Sequence, residues 1–587
     1  MILIFGGTTE GKTAVEVCEQ AEKPFYYSTK SALQHMKIHN GMCLFGAMSS
    51  NEISTFCKLH DIRCIIDAAH PFAMNLHKAI EETKMPVIRL QRIFSQPILG
   101  VVYCNGYEDA MRQLQASGCR TLLALSGVNT ICKLKEYWTK HRTFFRILDR
   151  EESINKAIQC GFPKEQIILY NDDLVLPSID EERALMESME CDAILTKESG
   201  EAGGFDTKVK AAQELGLKVF VIKHPLLSKD WEYVTGKYGL RRAIERIVPD
   251  FFTLKTGLTT GACATAATTA ALRSVLYGDD SEEVCFCLPD GEKLTIPVVH
   301  VAKGVASVIK DFSDDPDITR GCKITATVTC HNRVERHDNE REQKISFLRG
   351  SGVGIVTLPG LDIPVGEPAV NPTPRRMMTE AIKALTDTDV DVTISVEGGE
   401  ELAKKTFNER VGVVSGISII GTSGIVQPLS NDAFICSIRR ELEVAWAIGC
   451  REIGFVAGMK SEKLLKTKKN IRCVHYGNFI GEALKAAYEI GFRDVDIAIM
   501  IGKAVKLAAG NLDTHSHKVV MDKEFLVKIA VSLGIDPSPI YAITMARELW
   551  NVMPACFFKK IEILCRDCCM TVFPNGNINI HLICNIQ

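Results

Sequence analysis

Short apolar runs and helically spaced stretches take turns through the first 250 residues of the chain. The runs at 2–5, 64–66, 121–125, 193–196 and 218–222 are short and mainly apolar, so they predict buried strands, and 144–148, which holds Arg146, reads as a further strand. Between them, 12–21, a stretch from 110 and 208–215 have the spacing of amphipathic helices. Such alternation predicts an α/β architecture in two lobes, about 1–108 and 109–248, with a cleft between them. A basic helical end at 241–248 is broken by Pro249-Asp250, which marks a boundary and a short linker at 249–252. Beyond it the runs at 284–288, 294–298 and 305–309 predict strands, and 331–344 is a charge-rich excursion expected at a solvated hairpin tip. Further on, 417–420, 453–456, 472–475 and 495–500 predict a parallel sheet, with helices such as 434–448 and 479–490 between its strands. Asn575-Gly576, flanked by 570–573 and 578–583, carries a hairpin signal. The second half divides into an α+β part at 253–412 and an α/β part at 413–587.

Composition narrows the classes. At 587 residues, 46% hydrophobic and 24% charged, the chain has the make-up of a multidomain globular protein. A net charge of −3 gives no support for a nucleic-acid or membrane-surface partner. No apolar run reaches spanning length unbroken, and the opening Met-Ile-Leu-Ile-Phe lacks the basic flank of a signal peptide, so a cytoplasmic location is expected. The 22 cysteines lie in hydrophobic segments and read as reduced, mostly buried thiols. Cys565-Arg566-Asp567-Cys568-Cys569 has no second pair at zinc spacing, so no protein metal site is expected.

Several stretches carry candidate chemistry. Lys255-Thr256-Gly257-Leu258-Thr259-Thr260-Gly261 is a glycine- and hydroxyl-rich turn that feeds an alanine-rich run. It reads either as a helix N-terminus with N–H and hydroxyl groups free for an anion, or as a capped core helix. Near the N-terminus, strand 2–5, the turn Gly6-Gly7-Thr8-Thr9-Glu10-Gly11 and the following helix make a phosphate cradle. Gly6, Gly11, Lys12 and Thr13 fit the P-loop letters, with Asp67 as a candidate magnesium carboxylate. The dinucleotide pattern fits less well, because Thr8 stands at its second glycine. The second strand ends in Ser28-Thr29-Lys30, with no carboxylate for a ribose 2′-hydroxyl. Such a tip suits a 2′-phosphate, or is a polar loop that touches nothing. Arg146, within the strand 144–148, and Arg150 just beyond it suit a ligand edged with carboxylates, or are solvated surface residues. Four aspartates within 311–317 need a positive partner or full solvation. Gly421-Thr422-Ser423-Gly424 lets backbone approach a cofactor closely.

Two family resemblances follow from these strings. The Gly-Gly-Thr-x-Glu-Gly turn, Asp67-Ala68-Ala69-His70-Pro71-Phe72-Ala73, Arg89-Leu90-Gln91-Arg92 and Lys197-Glu198-Ser199-Gly200-Glu201-Ala202-Gly203-Gly204 resemble precorrin-6A reductase, an NADPH-dependent enzyme, over about 1–248. In that family Lys12 is incidental, which argues against a P-loop triphosphatase. Lys255–Ala267, the string from Lys310 to Thr319, the segments 361–374 and 398–408, Gly416–Pro428 and the string 501–518 resemble the cobalt-precorrin-5B C1-methyltransferase family. Departures stand at Tyr170-Asn171-Asp172-Asp173, where the reductases tend to show Gly-Pro-Phe-Ser, and at Met500 and Asp513, where the methyltransferases show His and Asn.

The resemblances imply a two-lobed Rossmann-like reductase, then a circularly permuted S5-like α+β domain and a small parallel α/β domain. They imply a bifunctional enzyme of cobalamin biosynthesis using S-adenosylmethionine and NADPH, with tetrapyrrole substrates that carry their own cobalt. Alternatively one half serves only as a tetrapyrrole-binding platform. Candidate NADPH residues are Gly6, Gly7, Thr8, Glu10, Gly11, Ser28, Thr29, Lys30, Lys197, Ser199 and Gly200. Those for S-adenosylmethionine are Thr259, Thr260, Gly261, Gly421, Thr422, Ser423 and Gly424. Substrate contacts are expected from His70, Arg89, Arg92, Arg146, Asp315 and Arg375. His515 is the first choice of catalytic base, or a structural loop residue, with Asp513 and Lys503 as catalytic candidates beside it.

Overall fold

The computed structural model describes residues 1–30, 37–92, 98–171, 177–199, 204–311, 313–315, 317–331, 343–428, 431–515 and 521–584. The chain divides into two compact units, Met1–Thr253 with Glu292–Leu294, and Leu254–Gly291 with Thr295–Gln587.

The first unit holds two six-stranded sheets. One is built on β1 (Ile2–Phe5), followed by α1 (Thr9–Glu19), β2 (Phe25–Thr29), β3 (Gly41–Phe45), β4 (Cys64–Asp67) and β5 (Val87–Leu90). The other contains β6 (Val101–Cys104), β7 (Thr121–Leu125), β8 (Arg142–Leu148), β9 (Ile167–Tyr170), then α2 (Ile179–Ser188), β10 (Ala193–Lys197) and β11 (Lys218–Ile222). The chain then returns to the first sheet through β12 (Glu232–Val234) and α3 (Gly236–Ile247). The orders are β12-β5-β4-β1-β2-β3 and β6-β11-β10-β7-β8-β9, with every pair parallel. The expected division at residue 108 is corrected here. β6 pairs with β11 in the second sheet, and β12 crosses back to β5, pairings that linear order does not reveal. In each sheet the strand order reverses once, at β1/β4 and at β7/β10, and the crevice outside the carboxyl ends at such a point is where open α/β sheets bind ligands.

The second unit begins with β13 (Gly257–Leu258) and α4 (Thr260–Tyr277), followed by β14 (Glu283–Cys287) and by β15 (Lys293–Pro297), which belongs to it from Thr295 onward. A mixed sheet follows, made of β16 (Val299–Ala302), β17 (Val305–Ile309), β18 (Lys323–His331), β19 (Ile345–Arg349) and β21 (Asp389–Val396), in the order β16-β17-β18-β21-β19. Before β21 come β20 (Ile355–Val356) and α5 (Pro372–Lys383); β20 pairs with β22 (Val413–Val414), and β13 with β23 (Ile425–Val426). α4 lies across β17, β18 and α5 and is buried almost all round. Its Ala, Gly and Cys residues permit that close approach. Thr265, Thr268 and Thr269 would be costly in a core, but each hydroxyl bonds the carbonyl four residues back at 2.8–2.9 Å.

The last part runs through α6 (Asn431–Ala447), β24 (Glu452–Val456), α7 (Met459–Lys469), β25 (Cys473–His475), α8 (Ile480–Ile490), β26 (Asp494–Met500), α9 (Ile501–Ala508), α10 (Ala555–Met570) and β27 (Asn577–Ile583). Its sheet, β25-β24-β26-β27, is wholly parallel.

Four local expectations are corrected. Residues 570–583 form no hairpin: α10 runs through Met570, and β27 pairs in parallel with β26. Residues 417–420 stay outside the parallel sheet and make only single bridges to Val353 and Val370. The excursion after His331 lies mostly outside the described residues, but its flanking strands β18 and β19 are separated by β21, so they do not form a hairpin. Cys132 and Cys160, with Cα atoms 5.5 Å apart, are joined in a disulfide, so the expectation of reduced thiols fails at that pair. Cys565 and Cys569 are buried along α10. Among the described residues no helix is long and apolar enough to cross a membrane.

Candidate functional site

The glycine turn sits at the β1/β4 switch point. Thr8 donates from its hydroxyl to the Ala68 carbonyl beyond β4 (2.8 Å) and accepts from Gly11 N–H (3.3 Å), which ties the two loops and caps α1. A side chain at Gly6 would run into the Tyr27 ring at 2.3 Å, so the turn's closest approach is to this phenol, whose oxygen accepts Gly7 N–H at 3.1 Å. Gly7 has φ +98° and open space where a Cβ would stand, so the turn retains a cradle that fits a dinucleotide phosphate. Ser28 and Thr29 are buried at the end of β2, and Lys30 is exposed.

Around this turn the first unit assembles a charged cluster. Arg92 grips Glu10 with two bonds, Nε to Oε1 at 2.8 Å and Nη2 to Oε2 at 2.9 Å. Its Nη1 donates to the Ser199 carbonyl at 2.7 Å, so residues from both sheets are drawn together. Burial alone would raise Glu10, but the Arg92 bonds outweigh it and hold the carboxyl below its ordinary range. Lys197 ends β10 with its ammonium 5.1 Å from the centre of the Phe72 ring; burial, then the Lys133 charge, push it down to about 8. His70 lies beside them, where crowding around its ring and the Arg92 and Lys197 charges favour its neutral form. Gly200 is outside the described residues.

Besides Arg92, two more of the expected substrate contacts in this unit are held by internal partners. Arg89 is buried and pairs with Asp67 at 2.8 Å, where His77 also sits at 3.0 Å. That triad commits Asp67 to the core and leaves the P-loop reading without its carboxylate, while Lys12 points to solvent. Arg146 makes a bidentate pair, 2.9 Å on each arm, with Glu182 of α2. A cavity of about 280 Å³ opens beside Arg92, lined also by Pro71, His224, Leu226, Leu227 and Tyr233.

In the second unit the opening motif is the capped core helix. Gly261 N–H bonds the Ile420 carbonyl (2.9 Å), Ala262 N–H the Thr259 hydroxyl (3.1 Å), and Ile420 N–H the Thr260 hydroxyl (2.9 Å). The N–H and hydroxyl groups expected free for an anion are therefore consumed. Gly421 is glycine because its Cβ would stand 2.2 Å from the Thr259 hydroxyl. Ser423 bonds Ile425 at both its N–H and its carbonyl, Gly424 is buried against Leu288, and Thr422 is exposed. These glycines answer to packing within the chain, so the turn does not fit a cofactor cradle. The acidic string acts likewise: Asp311 accepts Leu258 N–H and Asp314 accepts Lys255 N–H, each at 2.7 Å, while Lys310 pairs with Asp317 at 2.6 Å. Asp315 lies half-buried between them. Arg375 is spent on Glu367 (2.7 Å) and on the Val370 and Pro368 carbonyls.

Lys503, Asp513 and His515 gather at the carboxyl ends of β25 and β26. Lys503 donates to the Gly477 carbonyl at 2.5 Å, and burial, then the Lys506 charge, lower it. Asp513 accepts the His515 N–H at 3.1 Å, and Thr514 N–H bonds the Asn478 carbonyl at 3.0 Å. Beside this edge stands a group that sequence reasoning missed. Glu462 accepts His475 (2.8 Å), Lys466 (2.8 Å) and Arg410 (3.2 Å); burial would raise it, but these hydrogen bonds and the Arg410 charge hold it near 2. Glu441, only 8% exposed, makes no hydrogen bond among the described residues, and burial pushes it up to about 7 despite Arg410 and Arg472 nearby. Two carboxyls held so far apart in acidity can keep and release a proton side by side. One signal was available: Glu441 falls on the buried face of α6 with Ile438, Leu442 and Ala445, at helical spacing.

The Glu441 shift carries a stability prediction. Between the ordinary carboxyl value and 7 the native state binds more protons than the unfolded chain, so stability falls as pH rises through that window. Glu441→Gln should therefore stabilise the protein at pH 8 by about 1–3 kcal/mol and leave it nearly unchanged at pH 5. Urea midpoints at the two pH values check this, and equal shifts at both would discard the buried-proton account.

The chain is similar to known proteins in both of its halves. Residues 249–428 match the family CbiD, and residues 1–244 match the family Precorrin-6x reductase CbiJ/CobK. A cobalt-precorrin-5B C(1)-methyltransferase of Prosthecochloris aestuarii is 40% identical over 350 residues, covering 56% of this chain and 93% of its own length. A solved cobalamin biosynthesis protein (cbiD) from Archaeoglobus fulgidus is 27% identical, covering 48% of this chain and 85% of its own, with a TM-score of 0.25. A solved CobK precorrin-6A reductase is 19% identical, covering 42% and 97%, with a TM-score of 0.34. Both matched families belong to cobalamin biosynthesis, one a methyltransferase class and one a reductase class. The chain belongs to the cobalt-precorrin-5B C(1)-methyltransferase family, with a precorrin-6x reductase region fused ahead of it.

Proposed function

We propose that this is a bifunctional enzyme that methylates cobalt-precorrin-5B at C1 and reduces the product, cobalt-precorrin-6A, to cobalt-precorrin-6B. The observation that carries the reading is the pairing in one chain of a near full-length methyltransferase relative with a reductase family match. We take the active regions as 1–248 and 253–587, the latter as a permuted S5-like α+β domain and a small α/β domain. The protein is expected in the cytoplasm.

For reduction, the dinucleotide fits the β1 turn, with Gly7 and the start of α1 at its phosphates, and Lys30 suits the 2′-phosphate of NADPH. NADPH supplies the hydride when bound. Lys197 and His70 stand beside Arg92 near that turn and are the side chains offered to a carboxylate-edged macrocycle. For methylation, the ring carbon's π electrons form the new C–C bond as the sulfonium C–S bond breaks toward sulfur, and orientation supplies much of the rate. The carboxyl ends of β24 and β26 are the better seat for S-adenosylmethionine than the 421–424 turn. There the strand order reverses, Gly458 has open space where a Cβ would stand, and Lys503 and His515 are near.

Anaerobic assay of the whole chain tests this. With cobalt-precorrin-5B and S-adenosylmethionine the product should gain one methyl group and stop. Adding NADPH should then add one hydride and one proton. Methylation without reduction under any condition would leave the first unit a binding platform.

A further inference from the structure

The reduction needs a proton as well as a hydride, and the first unit pairs Glu198, of the Lys197–Gly204 string, with His224, a histidine that lies outside the quoted strings. His224 follows β11, and its Nδ1 lies 2.6 Å from Glu198 Oε2 at the end of β10; its own N–H donates to the same oxygen at 3.1 Å. Glu198 is 14% exposed and the imidazole 31%. Burial would raise Glu198, but the His224 bonds outweigh it, so the carboxylate stays charged against the imidazole. His224 lines the 280 Å³ cavity together with Arg92, which also grips Glu10 in the first turn of α1. One wall of the cavity thus continues into the cofactor turn, while Pro71, Leu226 and Leu227 offer apolar surface. The cavity suits one pyrrole edge of a flat macrocycle with carboxylate substituents, and it does not suit a whole one. The other charged or titratable groups facing it are Arg89, Lys229 and Tyr233, and Lys223 lies close to Glu198.

Resting on the reductase reading, we infer that this cavity seats the reducible edge of the tetrapyrrole and that His224 is the catalytic acid of the reduction, with Glu198 as its positioning residue. The macrocycle accepts the hydride at one carbon of a double bond; the displaced electron pair moves to the adjacent ring atom, which takes the proton from imidazolium Nε2. NADP⁺, the reduced macrocycle and a neutral imidazole result, and the imidazole recovers its proton from solvent.

The test uses the full chain, (cobalt-)precorrin-6A and NADPH. His224→Gln should lower kcat about 100-fold with both KM values and the NADPH Kd, read by fluorescence titration, within about 3-fold of wild type. The fall of kcat at alkaline pH should disappear in that variant. Glu198→Gln should lower kcat about 10-fold and move that fall to lower pH, since the imidazolium loses its counter-charge. His224→Gly should regain at least 10-fold on adding free imidazole, which a merely structural histidine would not do. The assignment is overturned if His224→Gln keeps kcat within 3-fold with its pH profile intact, or if its loss resides in binding and imidazole restores nothing. A wild-type chain that binds NADPH but never reduces the macrocycle would take down both the reductase reading and this assignment.

Discussion

Asp317→Ala should destabilise the second unit by about 3–5 kcal/mol, a large loss for one surface-loop residue. Lys310 is wholly buried at the end of β17, and its ammonium finds Asp317 at 2.6 Å. The carboxylate's other oxygen accepts the Thr319 N–H at 2.7 Å and its hydroxyl at 2.6 Å. Burial would raise Asp317; the Lys310 and Thr319 bonds outweigh it and lower the carboxyl. Removing the acid strands a buried ammonium, which costs far more than a surface pair is worth. The same loop carries Asp311 and Asp314, the acceptors for the backbone that leads into α4, so loss of Asp317 should loosen the start of the central helix. Urea unfolding of the full chain should show the drop, and hydrogen exchange should locate it in 254–428. The folded carboxyl is depressed, so this stabilisation is present above the unfolded value and fades as pH falls through the folded one; wild type and variant should converge in acid. Lys310→Met with Asp317→Leu should recover most of the loss, because a well-packed apolar pair replaces buried charges at little cost. A loss below 1 kcal/mol, or no recovery in the double variant, would refute the buried-pair account.

What the sequence made legible follows from locality. Strands of the parallel sheets are buried on both faces, so β10 (from Ala193 to Leu195) or β24 (from Ile453 to Val456) carries consecutive apolar positions without polar alternation, a signal that does not depend on distant residues. The crossing of β12 back to β5 depends on a partner more than 140 positions away, and nothing in Glu232-Tyr233-Val234 announces it. Asn575-Gly576 carries hairpin chemistry, yet the same left-handed Asn575 (φ +57°) serves equally to end a helix and start a strand. Motif strings brought Glu10, His70, Arg92 and Lys197 to notice one by one, and the fold brings them to one place. The pairings between them were invisible, since Glu10 and Arg92 lie 82 positions apart and Arg92 and Ser199 lie 107 apart. Gly421 and Gly261 show the opposite limit. A small-residue turn signals close approach, but sequence alone does not say whether a ligand or the chain's own Thr259 and Pro374 makes that approach.

Gly6→Ala should abolish most of the reductase activity while leaving methyl transfer by the same chain intact. The added methyl would stand 2.3 Å from Tyr27 Cε2 and 2.6 Å from its oxygen, and Tyr27 is 3% exposed in the core of the first sheet, so the ring has little room to yield. Overpacking of this kind costs about 1–3 kcal/mol. Because the displaced atoms are those of the turn itself, the shift falls on Gly7 and on the start of α1, where the cofactor phosphates are proposed to bind. Displacement of about 1 Å at such a site lowers turnover roughly 100-fold. NADPH Kd should rise at least tenfold, an effect readable without any tetrapyrrole. Tyr27→Leu removes the obstructing ring, so in a double-mutant cycle the second substitution should cost less in the presence of the first, with coupling of about 1 kcal/mol or more. If Gly6→Ala binds NADPH within 3-fold of wild type, the β1 turn is not the cofactor's seat, however closely its letters match. If instead both activities fall together, the substitution has unfolded more than the turn, and Gly7→Ala, whose methyl meets no side chain and whose strain at φ +98° is confined to the turn backbone, should decide the matter by affecting NADPH binding alone.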